Sequence, residues 1–211
     1  MYNIRRILLY VLGLFLLSLG VALSIRSNLG VSPTSSVSYV LSSITGFTIG
    51  SVTLAYFLIL ILAQKIILGR EFHAKNYLQI FFSSIFGLFT DISLWITITI
   101  IPTSYFVSLI ILIISIIIIG IGLSFVLITD VIMNAPEGFC NAISYKWDIK
   151  FSKVKTIFDM LSVFLSITLA FVFIGEITQI REGTIIAALF VGKIVGIIIE
   201  KNKDKIMSLY S

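Results

Sequence analysis

Long apolar runs alternate along the chain with short polar segments. Six of these runs have roughly the 20 residues that a helix needs to cross the hydrocarbon core of a membrane. They cover residues 7–25, 50–68, 77–100, 105–128, 154–175 and 184–200. The first run is long for a cleaved signal peptide, so we expect it to be a retained helix. The pattern predicts an all-α, polytopic membrane protein with six transmembrane helices.

Two shorter periodic pieces, residues 33–44 and 136–147, interrupt this pattern. Each begins with a proline, a residue that suits the first position of a helix, and each is too short to cross a membrane. We therefore expect two re-entrant half-helices that dip into the helix bundle. Non-helical backbone at that depth is tolerated only where protein or a water-filled cavity surrounds it, which indicates a cavity near the midplane.

The two halves of the chain resemble each other at an offset of 102 or 103 residues. The aligned pairs include Asn28 with Asp130, Pro33 with Pro136, and Ser42 with Ser144. We infer two three-helix repeats, residues 1–102 and 103–211, each with one half-helix. Because each repeat contains three spans, an odd number, the two repeats would be inverted, a plan common among small transporters.

Composition and charge add a membrane orientation. Hydrophobic residues make up 58% of the chain and charged residues only 12%, about half the charged fraction of a soluble domain. Cytoplasmic loops carry the excess of Lys and Arg. With the N-terminus inside, twelve basic residues fall on the cytoplasmic side and two, Arg26 and Arg181, outside. We expect a multi-pass membrane protein with both termini cytoplasmic, and no basic face for nucleic acid.

Polar side chains at the two half-helices are the candidate substrate-binding residues. They are Asn28, Ser32, Thr34, Ser35 and Ser36 at the first half-helix, and Asn134 and Glu137 at the second. A helix N-terminus presents unpaired N–H groups and a partial positive charge, which suits an anionic or carbonyl group of a solute. The alternative is that these side chains only cap their own helices. Glu137 brings a negative charge, so the second end is either self-satisfied or receives a cation.

Three charged residues lie within predicted spans and are candidates for coupling or gating: Asp91, Asp159 and Lys193. Charges inside membranes are costly and are usually functional or paired. In one interpretation an acid neutralises Lys193 in a buried ion pair. In the other, an acid carries a proton or a cation, because desolvation and the approach of substrate change its charge. Asp91, near the outer interface, can also be a solvated structural acid.

Signals for enzymes and cofactors are missing from the sequence. The chain has one cysteine, Cys140, and one histidine, His73, so no cluster of soft metal ligands is predicted. Walker, HExxH and GxSxG motifs are not found. We expect no metal, no cofactor and no enzymatic activity.

Several segments carry a family resemblance. The segment LGVSP (29–33), the segment NAPEGFCNAIS (134–144), the segment FGLFTD with Asp91, and the acid Asp159 early in the fifth span resemble the YczE/YitT-like family of bacterial integral membrane proteins. The resemblance implies the topology and a location in the bacterial cytoplasmic membrane more than an activity. Two features depart from the family pattern. The segment that leads into the second half-helix reads VIMNAP (131–136) in place of the Gly-rich form LGAGP, and Lys193 stands where the family pattern more often has proline.

Together these features predict a secondary carrier for a small polar solute, with the binding site between the N-termini of the two half-helices. A proton is the most economical coupling ion because titratable acids are present and no oxygen cage for sodium is evident. The alternative is a non-transporting binding or regulatory subunit of a larger membrane complex. The expected partners are the lipid bilayer and the solute, with a homo-oligomer or an accessory protein as further options.

Overall fold

The computed structural model describes residues 4–176 and 180–207 of the 211-residue chain, and within these ranges it contains eight α-helices joined by short turns and loops. The helices are α1 (Ile4–Arg26), α2 (Pro33–Thr45), α3 (Ile49–Leu68), α4 (Leu78–Ile96), α5 (Tyr105–Thr129), α6 (Ala135–Trp147), α7 (Phe151–Phe173) and α8 (Glu182–Met207). Two short 3₁₀ turns, Gly69–Glu71 and Ala74–Tyr77, join α3 to α4.

Six of the helices are long and apolar enough to cross a membrane. They are α1, α3, α4, α5, α7 and α8, and the 3₁₀ turns extend the candidate spans of α3 and α4 to Ile49–Glu71 and Ala74–Ile96. The predicted number of spans is confirmed, with ends that shift by a few residues. The remaining two, α2 and α6, have 13 residues each and lie where the short helices were predicted. The protein is a multi-pass membrane protein.

The helices form two compact units, and each unit takes elements from both halves of the sequence. Unit one contains α1, the end of α4, α5 and α8, from residues 4–32, 89–131 and 180–207. Unit two contains α2, α3, the start of α4, α6 and α7, from residues 33–88 and 132–176. The proposed repeats 1–102 and 103–211 are therefore not the compact units, and their relation remains a prediction.

In unit one, glycines allow α1 and α5 to approach closely. A Cβ added to Gly122 would lie 2.5 Å from the backbone nitrogen of Leu17 and 2.8 Å from the carbonyl oxygen of Gly13. On its other side α5 packs against α8, where a Cβ on Gly120 would collide with the side chain of Ile194. Small residues permit such backbone contacts between membrane helices. Arg6 donates hydrogen bonds to the carbonyl oxygens of Thr129 and Asp130 at the end of α5.

In unit two, each short helix packs against the long helix that follows it and against a long helix of the other half. Thus α2 contacts α3 and α7, while α6 contacts α7 and α3. The corners after the short helices also match. Ser42 Oγ donates to the carbonyl oxygen of Phe47, and Ser144 Oγ donates to that of Ile149, each at 2.6 Å. The two halves therefore repeat both a pairing pattern and a local hydrogen bond.

Asn28 does not cap α2 but lies two residues after the end of α1, and the matching residue Asp130 is the C-cap of α5. Their φ angles are +55° and +44°, and a residue in this left-handed conformation commonly ends a helix. At the start of α6, Asn134 occupies the N-cap position but its side chain makes no capping hydrogen bond. The carbonyl oxygen of Asn134 accepts the backbone N–H of Gly138 at 2.8 Å.

Candidate functional site

The first turns of α2 and α6 meet at a charged cluster on α7 within unit two. Lys155 Nζ lies 2.7 Å from Asp159 Oδ1, 3.4 Å from Thr34 Oγ1 and 3.8 Å from Glu137 Oε1. Thr34 Oγ1 also donates to Asp159 Oδ1 at 3.3 Å. We call Thr34, Glu137, Lys155 and Asp159 the Lys155 cluster. Two helices that cannot cross a membrane thus begin at one lysine in a third helix.

The charges of the cluster nearly balance when the helix ends are included. Lys155 contributes +1 and the two carboxylates contribute −2, a formal sum of −1, while each helix N-terminus adds a partial positive charge of about half a unit. The side chains of Lys155, Glu137 and Asp159 are 20–29% exposed. The cluster is therefore electrostatically self-satisfied but still open to a small polar group.

Hydroxyl groups continue the polar face of α7 beyond the cluster. Ser162 is buried, and its Oγ donates to the carbonyl oxygen of Phe158 at 2.9 Å. Ser166 Oγ lies 2.8 Å from Ser36 Oγ of α2, and Ser36 also donates to the carbonyl oxygen of Pro33 at 2.6 Å. Because Ser36 and Ser166 are fully buried, this part of the face joins α2 to α7.

Two buried amides support the first turn of α6. Gln64 of α3 and Gln79 of α4 exchange hydrogen bonds of 3.0 and 3.1 Å, and Gln64 Nε2 donates to the carbonyl oxygen of Ala135 at 3.2 Å. A Cβ on Gly138 would lie 2.7 Å from Gln64 Oε1. Glycine at position 138 therefore lets the amide pair reach the helix backbone and fix its position.

The structure brings together three of the predicted substrate and coupling residues: Thr34, Glu137 and Asp159. Ser32 and Ser35 are half-buried beside Pro33 at the start of α2, whereas Ser36 is directed into the packing with α7. Asn28 is exposed in unit one, where its carbonyl oxygen accepts from Arg181 Nη1 at 3.2 Å.

The other two predicted charges, Asp91 and Lys193, belong to unit one. Asp91 is half-buried in α4. In one of the two interpretations an acid, Asp159 or Asp91, neutralises Lys193 in a buried ion pair, but the side chain of Lys193 is exposed, with Nζ 5.4 Å from the centre of the Phe190 ring. Among the described residues no acid forms a salt bridge with Lys193, and Asp159 pairs with Lys155 instead. That interpretation of the ion pair is corrected.

The exposed position of Lys193 is costly in a membrane. On insertion scales, a lysine at the centre of a membrane helix costs about 2.5–3.5 kcal/mol. A cation–π contact at an exposed site contributes about 0.5–1 kcal/mol of stabilisation. The contact with Phe190 therefore offsets only part of the cost.

The sequence pattern does not single out Lys155 or the Gln64–Gln79 pair. Lys155 lies near the start of a span, so the pattern places it among the twelve basic residues of the cytoplasmic side. A usable signal was present, since Lys155, Asp159, Ser162 and Ser166 follow a spacing of four, three and four residues in an otherwise apolar helix. That spacing places all four side chains on one helix face.

We next consider whether the described residues could bind a metal ion or supply a reactive thiol. Within the described ranges, no group of three His, Cys, Asp or Glu side chains is placed to hold a metal ion. Burial raises the pKa of the Cys140 thiol in α6 to about 12. A protonated, fully buried thiol is a weak nucleophile.

Comparison with known proteins gives a family but no activity. A family model described as a family of unknown function, DUF6198, matches residues 4–200. The chain therefore belongs to the DUF6198 family. Neither the search of curated proteins nor the search of solved structures finds a match.

Proposed function

We propose that this member of the DUF6198 family is a secondary carrier for a small polar solute, with its binding site at the Lys155 cluster. The observation that carries the proposal is the meeting of two short-helix N-termini at Lys155. Many transporters bind substrates where interrupted helices present their N-termini near the membrane midplane. The proposed role is transport rather than catalysis.

We further propose that α2 and α6 are re-entrant half-helices of two inverted repeats. The matched corners at Ser42 and Ser144 and the reciprocal contacts of α2 with α7 and of α6 with α3 support this arrangement. The odd number of spans per half favours opposite orientations of the two halves, and the distribution of basic residues favours cytoplasmic termini. The resemblance to the YczE/YitT-like family favours the same topology in a bacterial membrane.

The cluster suggests how a solute and a proton compete for one place. Lys155 donates to Asp159 and Thr34 and lies near Glu137, so its ammonium group occupies the position that a solute would take. A solute with an ammonium group can replace it at the two carboxylates, and the freed Lys155 can pair with an anionic or carbonyl group. Protonation of either acid removes a negative charge that holds Lys155 or the ammonium group of the solute, so a proton and a cationic solute exclude each other from the carboxylates.

The test begins with a thermal-shift screen of the purified protein against pools of small polar metabolites at pH 6 and pH 8. A ligand stabilises the state that it binds. Each compound that stabilises the protein is then tested for uptake in proteoliposomes with and without a pH gradient. We expect Lys155→Gln and Asp159→Asn to lose both stabilisation and uptake.

The control is Lys153→Gln, which removes an exposed lysine two residues away on the same helix and should retain both. Full uptake and full proton dependence in Asp159→Asn would contradict the coupling role. Asp91→Asn tests the other predicted acid in the same assay.

The second candidate function is a non-transporting binding or regulatory subunit of a larger membrane complex. The exposed charge of Lys193 within a span favours it, because a partner is the simplest way to cover that charge. Stable copurification with a second membrane protein, together with no flux after reconstitution alone, would decide for this role.

A further inference from the structure

The outward face of α8 places a charge near the middle of a candidate membrane span. The span runs from Glu182 to Lys203, and at 1.5 Å per residue Lys193 lies about 15 Å from either end. Its four-methylene side chain is too short to bring the ammonium group fully to the lipid headgroups. The ring of Phe190 lies on the same helix and carries no charge.

Two glycines on this face leave room for a close neighbour. A Cβ added to Gly192 or Gly196 would meet nothing within 4 Å, and both residues are exposed, as is Leu189. The opposite face of α8 packs on α5, with Ala187 and Ile194 against Leu112 and Ile116. Gly192 and Gly196 are therefore not needed for packing within the described part of the chain. Spaced four residues apart, they form the pattern that permits close helix–helix approach in membranes.

We propose that this face docks a transmembrane helix of a partner protein that carries a carboxylate at the depth of Lys193. The glycines would admit the backbone of the partner helix, and the carboxylate would neutralise the lysine. Charge complementarity identifies the occupant. A second copy docked by the same face about a two-fold axis would set Lys193 against Lys193, and like charges at close range repel.

The test uses the full-length protein in liposomes of zwitterionic lipid. The probe is a labelled polyleucine transmembrane peptide with one aspartate at its centre, and association is measured by energy transfer to a label on the protein. The comparison peptide has leucine at the same place. Polar contacts between membrane helices contribute on the order of 1 kcal/mol, so we expect the aspartate peptide to bind about five- to tenfold more tightly.

Lys193→Leu should abolish the difference between the two peptides. Lys193→Asp with a lysine-bearing peptide should restore it, which separates a charge pair from a loss of folding. In a Lys193→Leu chain, Phe164→Lys puts a lysine on an exposed position near the middle of the α7 span, without the glycine pair. This control should not recover tight binding, and Gly192→Leu with Gly196→Leu should weaken the association of both peptides.

Equal binding of the aspartate and leucine peptides, or unchanged preference in Lys193→Leu, would overturn the proposal. Self-association of the protein that depends on Lys193 and excludes the aspartate peptide would also overturn it, in favour of a second copy. None of these measurements depends on transport, so the result stands apart from that of the proposed carrier function.

Discussion

Lys155 and Lys193 both lie in apolar helices, but the groups around their side chains differ. Lys155 is placed among three oxygen atoms from α2, α6 and α7, so its charge is compensated within unit two. Lys193 forms a cation–π contact with the Phe190 ring of its own helix, and no acid in the described part of the chain forms a salt bridge with it. The residue type and the apolar context are the same, and the difference lies in the partners that the fold brings to each side chain.

The contribution of the Gln64–Gln79 amide pair to stability can be tested by substitution. In Gln64→Leu, the buried amide of Gln79 and the carbonyl oxygen of Ala135 each lose a partner. Leaving a buried polar group unsatisfied costs about 1–3 kcal/mol, so we expect a lower unfolding temperature in detergent. The double variant Gln64→Leu, Gln79→Leu should recover part of the loss, because replacing both partners by apolar groups is far less costly. Strictly additive losses would show that the pair is not coupled.

The burial of Cys140 predicts a low reactivity of its thiol in the folded protein. Its side chain is fully buried, and the raised pKa keeps the thiol protonated at neutral pH. We expect no reaction with a maleimide in the folded protein and full reaction after denaturation in sodium dodecyl sulfate. Labelling of the folded protein at a rate close to that of an exposed engineered cysteine, such as Asp148→Cys, would show that α6 opens readily.

At the scale of elements, the association of α1 with α5 depends on glycine contacts. Gly122→Ala would place a methyl group 2.5 Å from the backbone of Leu17, so the two helices must move apart. Overpacking of this kind costs about 1–3 kcal/mol. We expect a clear fall in the unfolding temperature of the purified protein.

Gly196→Ala is the matched control for the α1–α5 contact, because its added methyl group meets nothing within 4 Å. Alanine also favours a helix over glycine, so this variant should be as stable as the original protein or slightly more stable. Equal losses in both variants would mean that helix propensity rather than the α1–α5 contact determines the effect.

At the scale of the whole molecule, the proposed inverted repeats predict on which side each loop lies. The corner after α2 should face outside and the corner after α6 should face the cytoplasm. Phe47 and Asp148 are exposed at these corners. A membrane-impermeant maleimide added to intact cells should therefore label Phe47→Cys but not Asp148→Cys.

Arg70→Cys is the control for the labelling experiment, since the turn after α3 should share the cytoplasmic side with Asp148. Disrupted cells should label all three cysteines, which checks that each one is accessible. Labelling of Phe47→Cys and Asp148→Cys from the same side would rule out the inverted arrangement.

The order of hydrophobic and polar residues by itself determined the helices. Apolar runs of membrane length can be satisfied only as helices in a bilayer, because every backbone polar group must be bonded within the segment. Prolines at positions 33 and 136 likewise locate the short helices close to their observed starts. The same local information predicted Thr34, Glu137 and Asp159 as candidate site residues. It did not predict that all three lie next to Lys155.

Tertiary structure decided which of these residues meet. The Lys155 cluster joins residues up to 125 positions apart in the sequence, and the compact units mix elements of both halves. A helix has many faces that satisfy its own backbone equally well, so the pairing of faces depends on side-chain packing across distant segments. For the same reason, only the fold distinguished Lys155, enclosed by oxygen atoms, from Lys193, which faces outward.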